Sequence, residues 1–219
     1  MKYVILGAHL HREDVEPLAA ALQCSPESAD PLWLSAIEAA DDQPLGDREF
    51  LLRATKVRAA LLERATFIAI RYGFAAHSAG DASKKAAPHL RHWRELLVEH
   101  RGRVEMTLKV AAANPVARPE RSSFSSGADY LKALHASSNA AHVEPEFRAA
   151  VDAAVRPLAA EARWVHRDNS SIELAFLLPG NRIDEVRAVA EALKREFPRV
   201  PFLLSGPWPL EVFADADHE

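Results

Sequence analysis

Ten histidines, a single cysteine and many serines are the residues of this chain whose types could do chemistry. His9 and His11 flank Leu10, and His89 and His92 stand three apart, near enough on a helix to share a face. Such pairs could begin a metal site. Neither is joined by a nearby carboxylate or thiol in a recognised ligand pattern, and no H-E-x-x-H occurs, so they read as solvated surface histidines. No G-x-S-x-G elbow presents a nucleophilic serine. Neither G-x-x-x-x-G-K-[ST] nor G-x-G-x-x-G is there to cradle phosphates. Cys24 lies beside Ser25-Pro26 with no neighbouring histidine, which suits a small structural thiol better than a nucleophile. The expectation is a protein with no catalytic residue, no metal site and no cofactor.

Recognition is the other chemistry on offer. In Leu204-Ser205-Gly206-Pro207-Trp208-Pro209-Leu210-Glu211-Val212-Phe213 a tryptophan stands between two prolines. Each proline locks its own φ near about −65° and removes an N–H. Each also keeps the residue before it, Gly206 or Trp208, out of the helical region. The indole is thus presented at low conformational cost. The expectation is that Trp208 plugs the edge of its own domain and is at least half buried.

The 219 residues suffice for one large domain or two small ones, and 48% apolar residues indicate a globular protein. A net charge of −4, from 27 basic and 31 acidic residues, argues against nucleic acid as the main partner. One cysteine excludes an intramolecular disulfide. No leader-like start and no apolar run approaching ~20 residues is present, so no membrane association and a cytoplasmic location are expected.

Periodicity supplies the elements that must position these residues. Tyr3–Ala8 reads as a buried strand, Glu13–Leu22 as a helix and Ser25–Pro31 as a turn; in Leu32–Ala40 Trp33 and Ile37 favour a strand and the alanines a helix, with strand preferred. Asp47–Arg64 is an amphipathic helix with Phe50, Ala54, Val57 and Leu61 on one face and Asp47 at the N-cap. Thr66–Tyr72 reads as a strand ending at Gly73, and Lys84–Arg101 as a helix stopped by Gly102. Then follow a strand at Arg103–Val110, a mobile loop at 114–126, and helices at Ala128–Ala136 and Pro145–Ala162. A hairpin joins Arg163–Arg167 to Ile172–Leu178 around Asp168-Asn169. A helix capped by Asn181 and stopped by Pro198, then a strand at Val200–Leu204, complete the chain.

The fold expected is α+β with two domains. Residues 1–101 form an N-terminal unit of alternating strands and helices. Residues 102–219 have the strand, helix, strand, strand, helix, strand order of a ferredoxin-like domain.

Several stretches together resemble the gas vesicle GvpL/GvpF family. Gly206-Pro207-Trp208-Pro209 is similar to its C-terminal T-G-P-W-P-P-Y-S-F, and Arg71-Tyr72-Gly73 to its R-F-G segment. Gly102-Arg103-Val104-Glu105-Met106-Thr107-Leu108-Lys109-Val110 resembles its G-x-x-E-W-x-V-K-V strand, and Gly127-Ala128-Asp129-Tyr130-Leu131 its G-x-x-Y-L helix start. Asn169 to Leu178 resemble its L-N-x-A-Y-L-V strand. Departures mark a diverged member: Ala69 replaces a proline, Phe74 a threonine, and Thr55-Lys56 stand where a His-Glu pair is usual. Met106 replaces a tryptophan, and Leu210 and Glu211 replace Pro and Tyr.

The resemblance implies a non-catalytic gas vesicle accessory protein with a modified ferredoxin-like C-terminal domain. Its implied partners are the small hydrophobic shell protein and other gas vesicle accessory proteins. Such a protein could cover its client by strand-edge pairing or through an apolar groove. The candidate contact residues are Arg71, Tyr72, Trp208 and Phe213. Arg71 could hold a carboxylate bidentately or form an internal ion pair with a residue such as Glu105. Two other readings stand beside this one: a regulatory module binding a small metabolite, and an enzyme built on Arg71, Glu105 and histidines.

Overall fold

The computed structural model describes residues 1–113, 119–137, 142–166 and 170–214, with the backbone of 138–140. The chain divides into two compact units. Met1–Val104 and the segment beginning at Trp208 make the first, and Glu105–Pro207 the second. The cut expected after residue 101 left the C-terminal segment with the second domain. In the structure that segment returns to the first unit, where Leu210 exchanges main-chain hydrogen bonds with Phe67 and Ala69.

The first unit is built on β1 (Lys2–His9), fully buried from Val4 to Ala8. β3 (Leu32–Ala39) runs antiparallel along it, from Lys2↔Ala39 to His9↔Trp33. β2 (Cys24–Ala29) pairs with β3 and forms the sheet edge. The turn expected over Ser25–Pro31 is therefore mostly strand. Pro26 lacks an N–H, which an edge strand bonded on one side tolerates. The helix expected over Glu13–Leu22 is split into a 3-10 turn, Arg12–Asp14, and α1 (Leu18–Leu22), since Pro17 cannot donate within a continuous helix.

α2 (Arg48–Leu62) follows its sequence closely. Asp47 Oδ2 accepts the N–H groups of Glu49 at 3.1 Å and Phe50 at 3.2 Å, satisfying two donors of the first turn. Phe50, Ala54, Val57 and Leu61 are buried against Val4, Leu6, Val15, Cys24, Ile37 and Phe67. Two short strands, β4 (Ile68–Ala69) and β5 (Ala75–Ala76), lie on the other side of β1. The single helix expected over Lys84–Arg101 is two helices, α3 (Ala79–Ala86) and α4 (Leu90–Glu99), broken around Pro88. Gly102, at φ +75°, provides the left-handed stop after α4.

The second unit's sheet is drawn from β6 (Arg103–Ala111), β7 (Glu161–His166), β8 (Ser171–Pro179) and β9 (Phe202–Trp208). Its order is β7-β8-β6-β9. The first strand thus lies between the third and the last, the split βαβ arrangement of a ferredoxin-like domain. β7 and β8 form the expected hairpin, from Glu161↔Leu177 to His166↔Ile172. α5 (Gly127–Ala140), α6 (Pro145–Val155) and α7 (Ile183–Glu196) accompany the sheet. α6 buries Phe147, Val151 and Val155, with the Phe147 ring 5.3 Å from Phe197 and 5.2 Å from Phe202. It ends before Ala162 because Pro157 cannot extend it. Asn181 does not cap α7 but lies inside a 3-10 turn, Gly180–Arg182. Of the expected loop 114–126, residues 114–118 lie outside the described residues, as do 167–169 of the hairpin turn and the tail 215–219. No helix among the described residues is long and apolar enough to cross a membrane.

Candidate functional site

Arg71 and Tyr72 are presented by an interruption in a strand. β4 pairs Gly7↔Ala69 and β5 pairs Val4↔Ala75, so five residues, 70–74, stand opposite two on β1, Ile5 and Leu6. The ladder continues at both ends of the excess: Ile70 N–H donates to Leu6 O at 3.1 Å, and Ile5 N–H donates to Phe74 O at 3.0 Å. The surplus, Arg71-Tyr72-Gly73, is expelled from the sheet. Phe74 N–H donates to Arg71 O at 3.3 Å and closes a β-turn. Gly73 occupies its third position at φ +99°, which a side chain would disfavour. This is why the strand expected over Thr66–Tyr72 shrinks to two residues.

The turn is held from beneath by α2. The Arg58 guanidinium lies 4.1 Å from the Tyr72 ring centroid and also donates through Nη2 to Ile70 O. The Arg58 Nε is buried without a hydrogen-bond partner. Tyr72 keeps 45% of its surface exposed, and Arg71 beside it is exposed as well. The arrangement displays an aromatic face braced by a cation, a form suited to contacting a partner rather than to bond chemistry.

The C-terminal signature does a different job. Leu210 N–H donates to Phe67 O at 2.9 Å, and Ala69 N–H donates to Leu210 O at 3.1 Å. Leu210 thereby adds to the sheet as a parallel bridge on Ile68. Pro209, Leu210, Val212 and Phe213 are buried. Trp208 keeps 44% of its surface, so just over half of it is covered, and the plugging falls mainly to Leu210 and Phe213. Phe213, expected among the contact residues, is only 4% exposed, so its side chain is buried rather than offered to a partner. The parallel sense at Ile68 sets Trp208 toward the Thr66 end of β4, away from the turn at Tyr72. The four candidates therefore do not converge. Arg71 and Tyr72 share one turn, Trp208 is a separate exposed indole, and Phe213 is internal.

His9, expected at the surface, is fully buried. Ser35 Oγ–H donates to Gly7 O at 3.3 Å, so Ser35 Oγ receives the Nε2–H of His9 at 3.0 Å. That fixes the neutral Nε2–H tautomer and leaves Nδ1 as a buried acceptor with no partner. The imidazole stacks on Phe67 at 5.1 Å, and burial pushes its pKa down to about 3. Its sequence neighbourhood carried no sign of this, since a strand covered on both faces does not alternate. His11 is exposed, and His89 stacks on Trp93 at 5.1 Å with His92 exposed beside it. Cys24 is buried, and desolvation raises its thiol pKa to about 12, the opposite of an activated nucleophile.

The sequence model of the family described as Gas vesicle synthesis protein GvpL/GvpF matches residues 28–214. The chain belongs to the GvpL/GvpF family. Two solved structures share the fold of this GvpL/GvpF member. GvpF from Anabaena sp. PCC7120 matches with a TM-score of 0.67 at 16% identity, over 99% of this chain and 97% of that one. GvpF from Microcystis aeruginosa matches with a TM-score of 0.69 at 12% identity, over 98% and 99% respectively. No curated protein matches by sequence. Membership supports a gas vesicle accessory role for this GvpL/GvpF chain.

Proposed function

We propose that this protein is a non-catalytic assembly factor that associates with the small hydrophobic shell protein of the gas vesicle. The observation that carries the reading is the family match over 28–214, which includes the exposed Arg71-Tyr72-Gly73 turn. That turn meets the client first, through the exposed aromatic side chain of Tyr72. Trp208 provides a second apolar contact. Other accessory proteins of the vesicle are the remaining partners. Association is transient, near micromolar or about 8 kcal/mol, because an assembly factor must release its client.

Co-expression with the shell protein and pull-down is the test. Recovery of the shell protein with this chain, reduced by Tyr72→Ala, is the expected result. No recovery from a folded protein overturns the reading.

A further inference from the structure

We propose that Arg58 is a preformed receptor for a carboxylate, and that Arg58 and Tyr72 together read an acidic side chain standing beside an apolar one on the shell protein. This rests on the reading that the turn at Tyr72 meets the shell protein, and it names the chemistry selected there.

Arg58 leaves most of its hydrogen-bonding capacity unspent. A guanidinium carries five N–H donors. Arg58 donates through Nη2 to Ile70 O, its one hydrogen bond among the described residues. Nε is buried and has no partner. Nη1 has none either, yet it is not sealed from solvent as Nε is. Among the described residues no carboxylate pairs with this cation. Arg53, earlier on the same helix, shows the contrast. It spends Nη1 on Glu38 O at 3.1 Å and Nη2 on Gln23 O at 3.2 Å, and so ties α2 to the ends of β2 and β3.

The unspent donors are also held still. The Tyr72 ring lies 4.1 Å from the Arg58 guanidinium carbon, and Ile70 O fixes Nη2 from another side. Much of the rotamer freedom that a surface arginine loses on binding is therefore already lost in the folded chain. Nε is shut off from water, and no anion of the chain neutralises the charge. A carboxylate arriving at Nη1 thus gains more than it would at a fully hydrated arginine. Tyr72, 45% exposed, lays aromatic surface next to that cation. This surface suits an apolar side chain beside the acid, so the occupant is a peptide segment of the shell protein rather than a free inorganic anion.

The test has two arms. In the first, the Arg58 Nε–H signal of the wild-type protein, assigned through bonds along its own side chain, is followed by NMR as sodium acetate replaces sodium chloride at constant ionic strength. The expected result is a saturable shift of that signal. No shift, or one that grows without saturating, overturns the proposal, and this arm needs no variant to fold. In the second, Arg58→Lys keeps the charge and loses the planar fork. Recovery of the co-expressed shell protein should fall about tenfold with the folded variant. Equal recovery overturns the proposal and leaves the assembly-factor reading standing. No recovery by the wild type overturns that reading and with it the occupant named here, whatever the acetate arm shows.

Discussion

The Arg58 guanidinium lies 4.1 Å from the centre of the Tyr72 ring, so a cation from α2 braces an aromatic side chain that the sheet has expelled. Tyr72 itself is 45% exposed. Its display is separable from stability: an exposed cation–π contact contributes about 0.5–1 kcal/mol. Tyr72→Ala should lower thermal stability only slightly and reduce shell-protein recovery several-fold. Arg58→Ala should cost more stability, because its bond to Ile70 O is lost as well. Thermal melts beside pull-downs separate the two effects.

The two C-terminal aromatics should behave oppositely. Phe213 is 4% exposed and Trp208 44% exposed. Phe213→Ala should destabilise the first unit by about 3–5 kcal/mol, while Trp208→Ala should cost clearly less. Urea titrations of the two variants measure this, and equal losses would refute the assignment of the plug to Phe213.

Stability should fall with acid through His9. Its folded pKa, about 3, lies below the ordinary 6.5, so the unfolded chain binds the extra proton first. The contribution is fully present above pH 6.5 and is lost as pH falls toward 3. The loss is on the order of 5 kcal/mol over the whole window and about 2 kcal/mol between pH 6.5 and 5. Denaturant unfolding at these pH values, compared with His9→Asn, gives the difference directly.

Cys24 should be inert in the native protein. With the thiol pKa raised to about 12, almost no thiolate exists near neutrality. A thiol reagent at pH 8 should react slowly with the folded chain and rapidly after denaturation; fast native labelling would contradict the burial.

The N-cap of α2 should be measurable alone. Asp47→Ala removes the acceptor of two N–H groups and should cost about 1 kcal/mol. Asp47→Ser should recover most of it in the same unfolding assay.

Local periodicity and chain order determined a good part of this protein by themselves. The face of α2 that carries Phe50, Ala54, Val57 and Leu61, the cap at Asp47 and the stop at Gly102 rest on neighbours within a few residues, so the sequence displays them. The split βαβ order of the second unit follows from succession alone, and the Gly206-Pro207-Trp208-Pro209 signature pointed to the right family. Tertiary pairing decided the rest. Ser25 and Pro26 lie in a strand because β3 bonds them, against their own turn preference. Arg71-Tyr72-Gly73 leave the sheet because β1 offers two residues where the returning chain has five. The segment from Trp208 joins the first unit because Leu210 finds open main-chain groups at Phe67 and Ala69, far away in sequence. His9 became a buried neutral imidazole for the same kind of reason. Its surroundings, Ser35 and Phe67, are assembled by folding, and no spacing along the chain encodes them.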